Sequence, residues 1–212
     1  MKALLSTTYF GPVQWYQKLY RCEEVEIEQW ESFQKQTYRN RCLIATTQGI
    51  QALTVPVERG SSQLIKDIRI SDHGNWRHLH LYALESAYGN TPYFEYYRDD
   101  FLPFYEKRYD FLMDFNEALQ EMICGLIDMQ PCVKRTSEYI KEVGNGALDL
   151  REVIHPKRDY AMEDEVFKVV PYYQVFQEKL GFIPNLSIVD LVFNLGPESL
   201  LLLKQSINNV ED

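Results

Sequence analysis

The hydrophobic period of this chain changes once, near Asn75, and that change limits the folds open to it. Before it, apolar residues come in short, strand-like runs. "EVEIEQW" alternates, with Val25 and Ile27 on one side and the glutamates on the other. Residues 3–10 read as a buried first strand, although the Ser6-Thr7-Thr8 centre is polar. "QALTVPV" is a third strand, with Pro56 near its end, where a missing N–H is tolerated. "LIKDIRI" is a further strand with Leu64, Lys66, Ile68 and Ile70 on one face, and "ERGSSQ" before it is a turn. Gly11-Pro12 breaks the first strand, and Pro12 suits the opening of a helix over 12–20.

After Asn75 the period is helical. Trp76, Leu79, His80, Ala83, Leu84 and Ala87 recur at three and four, and Gly89-Asn90 closes that helix. Leu112, Phe115, Leu119, Met122, Ile123 and Leu126 form the clearest helical stripe, with Asn116 on its apolar face. "SEYIKEV" reads as a strand and "GNGALDLREVIHPKRDY" as a loop. "KVVPYYQVFQEKLG" is a short strand and a helix closed by Gly181. Ser187 and Asp190 have the spacing of a helix start; that helix ends at Gly196, and Pro197 opens the last one. Strands first and helices later make a single α/β or α+β domain over 1–212. Its N-terminal strands form a mixed sheet, leaning to three layers, flanked by helices, and its C-terminal part is mostly helical.

The net charge is −9, which argues against nucleic acid as a partner but not against a small anion in a locally basic pocket. No apolar run has the length of a membrane span. Cys22, Cys42, Cys124 and Cys132 form no close pair and read as reduced thiols of a cytoplasmic protein, the first three in the core.

Basic residues gather at Lys35, Arg39 and Arg41, in a stretch without an acid. It is either a solvated edge or half of an anion site. If it is extended, Arg39 and Arg41 point to one side and suit a single phosphate or carboxylate. A second cluster is Arg151, His155, Lys157 and Arg158, a loop that suits a phosphate lid or stays simply solvated. His155 there is a candidate general base. His78 and His80 fall on different sides of a helix, and no metal site is expected. His80 is read as a hydrogen-bonded core residue, Asn116 and Asn194 as structural amides, and Asp190 as explained by its helix-start spacing.

"YFGPVQWYQKL", "YRNRCLI", "TVPV", "TPYF", "DFNEAL" and "NLSIVDLVFNLG" together resemble the WbqC-like protein family, from Tyr9 to Gly196. The resemblance implies a group transferase of bacterial surface-polysaccharide, O-antigen-like synthesis, moving a glycyl or other acyl group onto an amino sugar. A non-catalytic binding or scaffold protein of the same system is the alternative, with the aromatic segment 93–105 as its exposed patch. The family's paired aspartates are replaced here by "EIEQWESF", so Glu28 or Glu31 would stand in for them. In this reading Arg39, Asn40 and Arg41, helped by Arg151 and Lys157, bind a small anionic or sugar-nucleotide substrate. Tyr9, Trp15 and Tyr96 stack on its sugar or base, and His155 takes the proton from the amine. No cofactor is named, and a homo-oligomer is left open. The layout also resembles nucleotidyltransferases with a His-x-Gly-His motif. Pro12-Val13-Gln14-Trp15 stands in that place without either histidine, so that chemistry is not expected.

Overall fold

A computed structural model describes residues 1–58, 60 and 63–208. The turn read at 58–63 lies partly outside the described residues. Strand β1 (Lys2–Leu5) leads through helix α1 (Val13–Arg21) into the parallel strand β2 (Glu24–Ile27). Much later, β5 (Val133–Arg135) adds beside β2, and β6 (Ala147–Asp149) adds on the other side of β1. The order is β5-β2-β1-β6, all parallel. Leu5 pairs with Ile27, Ile27 with Arg135 and Leu4 with Asp149, so all four strands end at one edge. The strands β3 (Arg41–Thr46) and β4 (Gly49–Thr54) form a separate antiparallel hairpin.

The rest is helical. Helices α2 (Trp76–Tyr88), α3 (Phe94–Glu106) and α4 (Leu112–Leu126) follow the hairpin. The short α5 (Tyr160–Glu163) and α6 (Gln177–Leu180) precede α7 (Ile188–Leu195) and α8 (Ser199–Gln205). This is the α/β architecture expected from the change of period. Ala3, Leu5, Val25 and Ile27 are buried, while Lys2, Glu24 and Lys134 make an ion-pair ladder across neighbouring strands. The core is continuous from the sheet to the aromatic cluster of Tyr9, Phe10, Trp76, Phe101, Phe115 and Phe193. Among the described residues no helix is long and apolar enough to cross a membrane.

Four local expectations are corrected. The first strand stops at Leu5, because Ser6, Thr7 and Thr8 turn out of the sheet and Phe10 takes a left-handed φ of 44°. "LIKDIRI" is a single tight helical turn, Ile65–Asp67, with isolated bridges on either side. Its buried residues are Ile65, Ile68 and Ile70, and Lys66 instead lies over the Trp30 ring at 4.0 Å. "SEYIKEV" forms no strand, since its Glu138, Lys141 and Glu142 are exposed. The two strands of that region are three-residue pieces on either side of it, one of them inside the expected loop. Before α6, the strand expected from Lys168 onward does not form; the neighbouring Phe167 makes one isolated bridge, to Ile207.

The segment before α7 is sewn onto the β1–α1 turn. Val13 N–H donates to Leu186 O, Gln14 N–H to Asn185 Oδ1 and Ile188 N–H to Gly11 O. Ser187 Oγ donates to Phe10 O at 2.7 Å. Two motifs almost a chain length apart in sequence are therefore one structural unit. The later segment covers the start of α1, where backbone N–H groups would otherwise be free to take an anion.

Below this unit, Lys18 and Asp164 form a fully buried ion pair, 2.7 Å from Lys18 Nζ to Asp164 Oδ2, with Gln14 Nε2 donating to the same carboxylate. Burial lowers the Lys18 pKa despite that partner. Removing one charge leaves the other stranded. Lys18→Met should therefore cost about 3–5 kcal/mol in urea unfolding, and Lys18→Met with Asp164→Leu should recover most of the loss. A single variant as stable as the parent would contradict this account.

Candidate functional site

The carboxyl ends of parallel strands are the usual place for a ligand cleft in such a sheet. Here the residues just past those ends are Ser6, Glu28, Thr136 and the 150–152 segment, and all are polar or charged except Leu150. Glu28 is completely buried. Its carboxylate accepts from Trp30 N–H, Thr136 Oγ1 and Ile140 N–H at 2.8–2.9 Å, and from Arg151 Nη1 at 3.4 Å. Arg151 also holds Asp149 in a two-pronged contact, Nε to Oδ1 at 2.9 Å and Nη2 to Oδ2 at 2.6 Å. Burial would raise the Asp149 pKa, but the bonds from Arg151 overcome it and hold the carboxyl below its ordinary range.

Arg39 repeats the arrangement beside the end of β1. It lies in the turn before β3 and is 2% exposed. Its Nε donates to Glu31 Oε1 at 2.8 Å, and its Nη2 to Glu31 Oε2 at 2.6 Å and Ser6 Oγ at 2.9 Å. Glu152 lies 3.7 Å away on the solvent side. Ser6 Oγ also lies 3.4 Å from the backbone carbonyl of Arg151, so this one serine ties the Arg39 guanidinium to the main chain of the 150–152 segment.

Outside these pairs opens a cleft of about 680 Å³. Trp30 and Tyr139 supply aromatic walls, and Glu31, Asp149, Arg151 and Glu152 supply the charge. The two basic segments, more than a hundred residues apart, thus come to the same sheet edge: Arg151 lines the cleft, and Arg39 stands behind it, paired with the lining residue Glu31. Both guanidinium groups are already engaged with carboxylates, and a free anion would have to displace these.

The other candidates scatter. Asn40 is buried, with Nδ2 on Val55 O. Arg41 lies on β3 with Nε on Thr54 Oγ1, and does not line the cleft. Arg39 precedes the strand, so the two arginines share no extended face. Tyr9 is sealed in the core, its hydroxyl 2.9 Å from both His80 Nδ1 and Tyr105 Oη. Trp15 is buried with Nε1 on Ser6 O. Neither ring offers a free face for stacking in this conformation. Tyr96 is exposed on α3 and lines no part of the cleft, while Phe94, Phe101 and Tyr105 of the same helix are buried. The segment 93–105 is therefore a core element with one exposed ring rather than an open aromatic patch.

His155 is half-buried near the rim. Burial lowers its pKa; Glu152 opposes this, and Arg39, Lys157 and Arg158 add to it. Its Nδ1 accepts the Lys157 N–H at 3.1 Å, which assigns the proton of the neutral ring to Nε2. Lys157 is exposed and has no carboxylate partner among the described residues. Among these residues no cluster of three or more histidine, cysteine or acidic side chains is arranged to hold a metal ion. Cys22, Cys42 and Cys124 are buried free thiols, and Cys132 is an exposed one.

A parallel sheet flanked by helices, with ionic pairs and a cleft at its carboxyl edge, defines an α/β domain with a candidate site at that edge. A model of the WbqC-like protein family matches residues 7–166, and the chain belongs to that family. The match ends before 185–196, so the motif "NLSIVDLVFNLG" lies outside the matched residues. The chain is 29% identical over 191 residues to "Uncharacterized protein Rv1507c" of Mycobacterium tuberculosis, covering 79% of this chain and 81% of that one. No solved structure matches the chain. Family membership suggests a role connected with polysaccharide biosynthesis.

Asp190 has the spacing of a helix start and lies in the first turn of α7, but its side chain does not cap the helix. Ser187 caps α7 through Val189 N–H, but the Asp190 carboxylate turns inward. It accepts from Tyr172 Oη at 2.7 Å, Tyr88 Oη at 3.0 Å and Gln174 Nε2 at 3.1 Å, with no cation partner among the described residues. Burial pushes its pKa up to about 6 from 3.8. Its position between Val189 and Leu191, in an otherwise apolar helix, was the available signal. His80 is shifted the opposite way, down to about 4 from 6.5, by burial.

The signs oppose. As pH rises from about 4 to 6, folded Asp190 keeps a proton that the unfolded chain has released, and stability is lost. As pH falls from 6.5 to 4, the unfolded chain gains a His80 proton that the folded one refuses, and stability is again lost. The two slopes offset each other between pH 4 and 6. Asp190→Asn should make stability rise more steeply with pH than in the parent, and His80→Gln less steeply, each by up to about 1.4 kcal/mol per pH unit. Denaturant midpoints across that range read both, and parallel profiles for all three proteins would refute the assignment.

Proposed function

We propose that the protein is a group transferase of bacterial surface-polysaccharide synthesis whose cleft at the sheet edge receives an amino sugar. One observation carries the reading: among the residues that line the cleft, the carboxylates of Glu31, Asp149 and Glu152 outnumber the one guanidinium, that of Arg151. A site with excess negative charge favours an ammonium over a phosphate. Trp30 and Tyr139 give the ring an apolar wall. Arg39 and Arg151 then serve to fix the carboxylates rather than to grip an anion. The phosphate of a nucleotide-linked or lipid-linked substrate would find Lys157 on the 155–158 loop instead.

In acyl transfer the bound ammonium first gives one proton to a base; the free amine nitrogen then attacks the acyl carbonyl, and its second proton leaves as the tetrahedral adduct collapses and expels the donor's leaving group. Glu152 stands on the rim with its carboxylate open to solvent. His155 is a donor while its Nδ1 holds the Lys157 N–H, and becomes an acceptor only if that bond opens. This supports Glu152 as the first proton acceptor.

Calorimetric titration with a hexosamine and its N-acetylated form tests the reading. The free amine should bind about tenfold more tightly, equivalent to about 1.4 kcal/mol, and Glu152→Gln should remove most of that preference. Equal or better binding of the acetylated sugar would remove the amine from the cleft and the proposal with it.

A further inference from the structure

Behind the Arg39–Glu31 pair, the loop after β1 encloses a second, much smaller hollow. Its walls include Thr8, Trp15, Tyr38, Arg39, Leu150 and Ile154, and its volume is about 10 Å³. That is close to the least space that holds one water-sized oxygen. Thr8 Oγ1 is buried in this wall and has no hydrogen-bond partner among the described residues. Arg39 lines this hollow and not the larger cleft, and none of the described residues accepts a hydrogen bond from its Nη1. Gly11 keeps the space beside the hydroxyl free, since a Cβ there would lie 2.5 Å from Thr8 Oγ1 and 3.3 Å from the Trp15 Cβ.

A hydroxyl left unsatisfied at such depth is costly. One oxygen bonded to the hydroxyl relieves it, and the Arg39 guanidinium, which lines the same hollow, is placed to donate to that oxygen. An anion is not called for, because Glu31 already balances Arg39. The walls of Trp15, Leu150 and Ile154 leave no room for a larger polar group.

We infer that this hollow is a binding site for a single neutral hydroxyl oxygen, held between Thr8 Oγ1 and the Arg39 guanidinium. The oxygen comes either from a bound water or from a hydroxyl of a sugar in the neighbouring cleft. The second source rests on the proposed function, and the first does not.

Thr8→Val, which keeps shape and removes the hydroxyl, gives a test by sign. If the hydroxyl holds an oxygen, the variant should melt lower by about 3 °C. If the hollow is dry, deleting an unsatisfied hydroxyl should raise the melting temperature, and the inference fails. A crystal structure of the unaltered protein reads the site directly, including the case where Thr8→Val does not fold. A density peak within hydrogen-bond distance of Thr8 Oγ1 is expected, and a featureless hollow would overturn the assignment. A peak that stays isolated after soaking with a hexosamine is water, and one that becomes continuous with the sugar is its hydroxyl. Failure of the hexosamine to bind would count against the proposed function while leaving the water assignment to its own two readouts.

Discussion

A guanidinium closed off from solvent must be neutralised where it stands, and at the edge of this sheet that requirement applies twice. Arg39 and Arg151 come from distant parts of the chain, and each needs a carboxylate within hydrogen-bond reach. The requirement fixes the turn that carries Glu31, the end of β2 that carries Glu28, and the end of β6 that carries Asp149. Ser6, at the end of the central strand, touches both systems. Such pairs contribute little net stability, because desolvation consumes most of the attraction, but breaking one is expensive. Their effect is to hold the loops around the cleft in one arrangement.

The elements with a long period were legible from the letters. The stripe from Leu112 to Leu126 is a helix, as is the one from Trp76 to Tyr88, and Gly196 closes α7 where a glycine was expected to. Asn116 and Asn194 proved to be structural amides, the first reaching Thr7 Oγ1 and Arg39 O and the second Asp190 O. What failed was short or contextual. A three-residue strand such as β6 carries no alternation to detect, and its partner is set by β1, some 145 residues earlier in the register. Ile65 and Ile68 obey a helical spacing too brief to stand out beside an alternating reading.

The site was legible in its residues but not in their roles. Arg39 and Arg151 could be singled out because basic residues cluster around them. Asp149 stands two residues from Arg151, but that Glu31 and Glu28 also reach these guanidinium groups depends on the fold, which spacing alone does not reveal. Glu28 shows the difficulty most plainly. Alternation along β2 places it on the outer side with Glu24 and Glu26, yet the strand ends at Ile27 and the next residue turns inward to full burial. Aromatic residues misled for a related reason. Tyr9 and Trp15 sit close to the end of β1, and both fill the core instead of facing a ligand.

The stitching of 185–188 onto the β1–α1 turn has a consequence for how the chain reaches its folded state. The first helix cannot satisfy its opening N–H groups with protein partners until the segment around Asn185 and Leu186 arrives. During synthesis, the earliest element therefore waits for one of the last, and contacts of such wide separation form slowly. A chain ending before that point would hold all four strands and the residues of the cleft, yet lack the acceptors of the Val13 and Gln14 N–H groups.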